Sequence, residues 1–151
     1  MNDDNAITMY EACLLHSRAD RALRVVVSRQ LEHFNVTMME WLLMGVVCAG
    51  AKDGMTMTAV ASALDVTLPQ VTALTSSLTK SKLVKQKVSR QDRRSRRLVC
   101  TPSGKRLVED TEKAIAGAMK DWTKDIPREE LEAYYKTVKH LANRRSSDTS
   151  S

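Results

Sequence analysis

Ser89 to Arg97 reads Ser-Arg-Gln-Asp-Arg-Arg-Ser-Arg-Arg, five arginines around one aspartate. Guanidinium groups at this density suit a polyanion. Their donors form a rigid fork that matches phosphate oxygens, and the group fits a narrow minor groove. The stretch is flanked by Leu83-Val84-Lys85-Gln86-Lys87-Val88 and by Leu98-Val99-Cys100. Two short apolar runs joined by a polar tip predict a β-hairpin. A solvated loop is the plainer reading, but five arginines exceed what a turn requires.

The charge of the whole chain sharpens this reading. Of 24 Lys and Arg and 18 Asp and Glu, eleven bases and one acid fall in Lys80–Arg106. That segment is +10 and the remainder −4. One basic surface on a mildly acidic body is the footprint of a polyanion partner. A membrane-surface helix fits less well, because the cations fall on a hairpin and not along one helical face.

Just upstream, Thr67-Leu68-Pro69-Gln70 is a capping box with Pro in the first turn. It opens a predicted helix to about Ser81, with Val71, Leu74 and Leu78 as its core stripe. The other face carries Gln70, Thr72, Ala73, Ser76, Ser77 and Lys80, beside the cap Thr67. No acid occurs from Leu68 to Gln91. A helix face without carboxylates can approach phosphates, and Gln, Ser and Thr can reach base edges. An ordinary exposed helix face usually carries Glu beside its Lys.

The remaining elements must position these two. Residues 6–33 lack Gly and Pro and read as one long helix. Thr37-Met38-Met39-Glu40 is a second capping box, opening an apolar helix from Trp41 to Ala49 that Gly50 ends. Asp53-Gly54 is a turn, and Thr56 caps a short helix through Leu64. Thr101-Pro102 starts a helix to about Trp122, and Pro127 starts a last one through Leu141. The tail from Arg144 is polar. The order is helix, helix, short helix, polar-faced helix, basic hairpin, helix, helix. This is a mainly α chain with a small β wing, a winged helix-turn-helix whose second motif helix enters a major groove. One domain, 1–151, is expected, with residues 35–100 as the DNA-binding module and 6–33 and 101–145 as a helical dimerisation region.

Other chemistries find little support. No Ser-His-Asp grouping, metal-ligand spacing or phosphate-cradling Gly loop is visible, so neither an enzyme nor a cofactor is expected. Cys13, Cys48 and Cys100 are an odd, widely spaced set, which argues against a disulfide framework and against zinc. Neither a membrane-length apolar run nor a signal peptide is visible, and a cytoplasmic location is expected.

With these motifs in order, the chain resembles the MarR family of bacterial transcription regulators over residues 6–143. The strongest match is D-x-R-x-x-R in the wing, at Asp92, Arg94 and Arg97. Leu83-Val84, Val71-Thr72 and the run Leu98-Val99-Cys100-Thr101-Pro102-Ser103-Gly104 support it. The resemblance implies a homodimer on palindromic double-stranded DNA, with the first and last helices of two subunits interlocked. It further implies that Arg94 enters a minor groove and that Asp92 pairs with a wing arginine to shape the tip. Arg93, Arg96 and Arg97 are then expected on phosphates, and Arg90 is a further DNA-binding residue of the wing. The chain departs from the family at three places. Ala73 replaces a polar or basic recognition residue, Ala59 a frequent Glu, and Lys82 a common Gly. A left-handed turn at Lys82 costs about 1 kcal/mol.

The resemblance also implies control by a signal. One branch of the family senses organic hydroperoxides through a first-helix cysteine, near which Cys13 falls. The tyrosines of that branch are replaced by Ser17, Val27 and Met38, and a packed core thiol is the alternative. Other members bind small aromatic acids, for which His16, Arg18 and Arg21 are candidates; as the alternative, all three are surface or interface residues. Repression is the expected output. A winged-helix protein-interaction module without specific DNA binding is the competing reading.

Overall fold

Three Thr-led capping boxes decide where the longer helices of the first half begin. The computed structural model describes residues 7–89, 92 and 95–144. In it Thr8 and Glu11 open α1 (Met9–Glu32), Thr37 and Glu40 open α2 (Met38–Ala49), and Thr67 and Gln70 open α4 (Leu68–Lys80). In each box the Thr hydroxyl accepts the third backbone N–H while the Glu or Gln reaches back, so two orphan donors are satisfied at once. Between them lie β1 (Met55–Thr56) and α3 (Met57–Leu64), the latter capped by Thr56 Oγ1 accepting from Ala59 N at 3.1 Å. Asp65 ends α3 in the left-handed region at φ 52°. The turn bends α3 and α4 to 108°, the angle of a helix-turn-helix.

The wing strands are β2 (Val84–Val88) and β3 (Arg96–Cys100), paired antiparallel from Val84 opposite Cys100 to Val88 opposite Arg96. The sequence placed Arg96 and Arg97 at the hairpin tip; the structure puts both in β3. It also adds a strand the sequence did not show. β1 pairs with β3, Met55 opposite Leu98, so the sheet order is β1-β3-β2. Two residues are too short for an alternating pattern to be visible.

Contacts gather the chain into two compact units, Met1–Ala118 and Met119–Ser151. In the first, Leu31, Leu43, Met44, Val60, Val71, Leu78, Val84 and Leu98 are at most 1% exposed. Burial of each such side chain is worth roughly 1.5–3 kcal/mol, so α1 to α4 and the wing root share one core. The α4 stripe differs from the sequence reading. Thr75 is buried, whereas Leu74 is half-buried; the Thr75 hydroxyl meets Met57 Sδ at 3.8 Å. α5 (Pro102–Trp122) contributes Thr111 and Ile115 to buried positions. The second unit carries the end of α5 and α6 (Arg128–Ala142), and no described residue of α6 is buried.

The expectation of no disulfide is overturned. Cys48 and Cys100 are bonded, with Cα atoms 5.5 Å apart and a sequence separation of 52. Helix α2 packs along β3, which brings two distant thiols together without any sequence motif. Cys13 is not packed either; its thiol is free and exposed on α1.

Candidate nucleic-acid interface

The seven residues of the predicted recognition face, Thr67, Gln70, Thr72, Ala73, Ser76, Ser77 and Lys80, are all exposed. Their hydrogen bonds divide them. Gln70 Oε1 accepts from Thr67 N at 2.9 Å and from Thr67 Oγ1 at 3.0 Å. That oxygen is committed to the helix cap. Two-point pairing with adenine, which needs both ends of the amide, therefore competes with the cap. Thr72 Oγ1 donates back to Leu68 O at 3.0 Å. Ser77 Oγ donates to Glu40 Oε1 at 2.6 Å. Ala73, Ser76 and Lys80 complete the outward face.

The Ser77 contact was not legible in the sequence. The face has no acid of its own, yet the fold brings a carboxylate from α2 against it. Glu40 serves two helices. Its Oε2 accepts from Thr37 N and Oγ1 at 2.9 and 3.0 Å, closing the α2 box, while Oε1 holds Ser77. Burial, the largest single influence, pushes the Glu40 carboxyl up. The hydrogen bonds from Ser77, the Thr37 backbone and the Thr37 hydroxyl outweigh it, and the net shift is downward. The ionised form is thus the one that fixes the start of α2 to α4.

The wing root is held from two sides. On one side, Arg97 is half-buried and its Nη1 donates to Gly54 O at 3.1 Å. Gly54 sits at φ 87°, and a Cβ there would lie 2.5 Å from Leu98 O. Only glycine lets the Asp53-Gly54 turn lie this close to β3. Arg97 therefore buttresses that turn, while Arg96 is exposed with Nη1 donating to Gln86 Oε1 at 3.3 Å. On the other side, Thr101 Oγ1 donates to Lys82 O at 2.7 Å and accepts from Gly104 N at 3.0 Å. Its N–H donates to Leu83 O at 3.1 Å. The cap of α5 is thereby tied to the chain just before β2. Lys82 is left-handed at φ 59°, the conformation anticipated where the family pattern has Gly.

At the tip, Ser89 N donates to Ser95 O and Ser95 N to Asp92 O, both at 2.9 Å. Asp92 is exposed. Arg90, Arg93 and Arg94 lie outside the described residues. The sensor candidates Cys13, His16, Arg18 and Arg21 all stand exposed on α1. No single helix among the described residues is long and apolar enough to cross a membrane.

No protein-family model matches the sequence, and no curated protein sequence does. Solved structures do. A transcriptional regulator of the MarR family from Rhodococcus sp. RHA1 superposes with TM-score 0.82 at 19% identity, over 91% of this chain and 97% of that one. CouR from Rhodococcus jostii RHA1, bound to p-coumaroyl-CoA, gives 0.80 at 20% identity, over 94% and 98%. MepR from S. aureus, in complex with DNA, gives 0.73 at 25% identity, over 86% and 95%. The chain has the winged helix-turn-helix fold of MarR-family regulators.

Proposed function

We propose that this MarR-type winged-helix protein is a DNA-binding transcription regulator, a homodimer that represses from a palindromic double-stranded site. The observation that carries the reading is the wing. Seven Lys or Arg against one acid lie between Val84 and Cys100, on a hairpin whose root is fixed by Arg97, Gly54 and Thr101. A rigid base makes a projecting cation useful, because less of its freedom is lost on contact with phosphate. Arg94 is assigned to the minor groove, and Arg90, Arg93 and Arg96 to phosphates. Arg97 supports the turn at Gly54 through Nη1, which leaves its other guanidinium donors for phosphate. MepR, bound to DNA in a similar fold, supports DNA binding as such.

Dimerisation is supported by apolar surface that a single chain leaves to water. On α1 the exposed residues include Met9, Tyr10, Leu14 and Leu15; in the second unit they include Trp122, Tyr134, Tyr135 and Leu141. Large apolar side chains exposed within each unit offer surface that a partner subunit could cover. The complex of CouR with p-coumaroyl-CoA supports small-molecule control here. His16, Arg18 and Arg21 are the candidate anion contacts and Cys13 a candidate oxidant target.

A second reading has its own observation. Gln70, Thr72 and Ser77 have polar atoms bonded within the chain, and Glu40 stands against Ser77, which suits a protein-interaction module without specific DNA binding. Fluorescence anisotropy separates the two. The full chain is titrated against duplex DNA flanking its own gene and against a scrambled duplex, at two salt concentrations. The regulator reading expects preference for the native duplex, a steep fall with salt from counterion release, and weakening by Arg94→Ala. Weak binding, equal on both duplexes and indifferent to Arg94→Ala, would leave the interaction module.

A further inference from the structure

The Cys48–Cys100 bond lies where the core helix meets the wing. Cys48 is in the last turn of α2, and Cys100 is the final residue of β3, the middle strand of the sheet. The opposite end of α2 holds Glu40, bonded to Ser77 of α4. One helix is therefore fastened to the recognition helix at its start and, by a covalent bond, to the wing at its end. Both cysteines are half-buried. They line a cavity of about 120 Å³ together with Lys52 and Lys105 among others. That space admits a few water-sized molecules, and Lys52 and Lys105 are the charged residues of its lining. The reduced state is provided for as well. Cys100 Sγ lies 3.7 Å from the Met44 carbonyl oxygen, which can accept from an S–H.

We propose that Cys48 and Cys100 form a thiol–disulfide switch, closed by hydrogen peroxide, that sets how firmly the wing is held against α2. One thiolate attacks a peroxide oxygen. The O–O bond breaks, water leaves after protonation, and a sulfenic acid forms. The second thiolate attacks that sulfur, the S–S bond forms and hydroxide leaves as water. Two thiols are oxidised by two electrons and one peroxide is reduced to two waters. A dithiol reverses the step by exchange. The site is distinct from Cys13. Its consequence for DNA rests on the regulator reading above.

The test uses the full chain carrying Cys13→Ser, which leaves the pair as the only thiols. Alkylation and mass spectrometry count two thiols after dithiothreitol treatment of the native protein and none after stoichiometric hydrogen peroxide, with the chain still single on a non-reducing gel. Amide exchange in Val84–Val88 and Arg96–Cys100 is expected to be faster in the reduced state. Adding Cys48→Ser, or Cys48→Ala should serine disturb packing, abolishes the peroxide response. Thiols that survive peroxide, a bond that dithiothreitol opens only after unfolding, or identical exchange in both states would each overturn the switch. DNA titration of both states then reads its output, with a several-fold difference in affinity expected. Equal, tight binding in both states would overturn control of DNA by the switch. No binding in either state would instead overturn the regulator reading and leave the switch to stand on thiol count and exchange.

Discussion

The recognition helix and the wing are neighbours in the chain and carry opposite kinds of surface. Over Leu68–Lys80 the only charged side chain is Lys80, whereas Val84–Cys100 carries seven Lys or Arg against Asp92. The helix turns polar atoms of Gln70, Thr72 and Ser77 inward to its own cap, its own backbone and α2. In the wing the half-buried guanidinium of Arg97 holds the root, while Lys85, Lys87 and Arg96 are exposed on the strands. The difference separates two tasks. Cations supply affinity that is blind to sequence, so under the proposed function the wing would set how tightly DNA is held, and discrimination would fall to Ala73, Ser76 and Lys80 of α4 with DNA shape read by Arg94.

The largest expected effect strikes the junction between the two regions. Gly104 in α5 packs on the Leu83 carbonyl, and an added Cβ would collide with that backbone oxygen. Backbone cannot rotate away as a side chain can. Gly104→Ala is therefore expected to cost about 3 kcal/mol and to lower the thermal midpoint by roughly 6–12 °C. Thermal unfolding followed by circular dichroism checks this. An unchanged midpoint would show that α5 does not anchor the approach to the wing.

Next in size is the direct contrast between the regions. Arg94→Ala is expected to weaken DNA binding by about ten-fold or more, with a shallower salt slope. Ser76→Ala should stay within about threefold, the value of one neutral hydrogen bond, and act unevenly among duplexes. Anisotropy titrations of both variants on native and scrambled DNA decide it. A larger loss for Ser76→Ala than for Arg94→Ala would invert the division of labour.

A third contrast compares two capping boxes of the same form. The α2 box uses Glu40 and the α4 box uses Gln70, so only the first titrates. The Glu40 carboxyl is held below the usual glutamate range in the folded chain. Its contribution is fully present above the unfolded value and fades as pH falls through the lowered folded one. Glu40→Ala should cost about 1 kcal/mol at neutral pH. Glu40→Gln should keep part of the cap and flatten the acid limb of stability measured by urea unfolding. A limb as steep as that of the wild type would assign the acid sensitivity to other carboxylates, such as Glu11 in the α1 box, which is shifted the same way.

What the sequence revealed follows the range of the interactions. Capping boxes act over three residues, so the caps Thr37 and Thr67 were legible at their positions, although the apolar helix expected from Trp41 begins at Met38. The apolar runs around the wing likewise located β2. The features that escaped join distant segments. Glu40 and Ser77 are 37 residues apart and the cysteines 52, and β1 exists only because β3 passes beside it. Thr75 escaped for a different reason. Its polar type hid a buried position that the helical period, four residues after Val71, already offered.

The smallest prediction concerns the hinge between the regions. Lys82 links α4 to the wing in the left-handed conformation at φ 59°, where a Cβ costs about 1–2 kcal/mol. Glycine removes that strain but gives the unfolded chain more freedom, which offsets about 0.4–1 kcal/mol. Lys82→Gly is therefore expected to stabilise the fold by roughly 0.5 kcal/mol, the difference between these opposing effects. In DNA titrations the same substitution removes one cation from the basic segment, so binding should weaken slightly while stability rises. The two regions are then separable at one residue. Urea unfolding reads the backbone and anisotropy reads the charge, and a Lys82→Ala control, which removes the charge and keeps the Cβ, should weaken binding equally without the gain in stability.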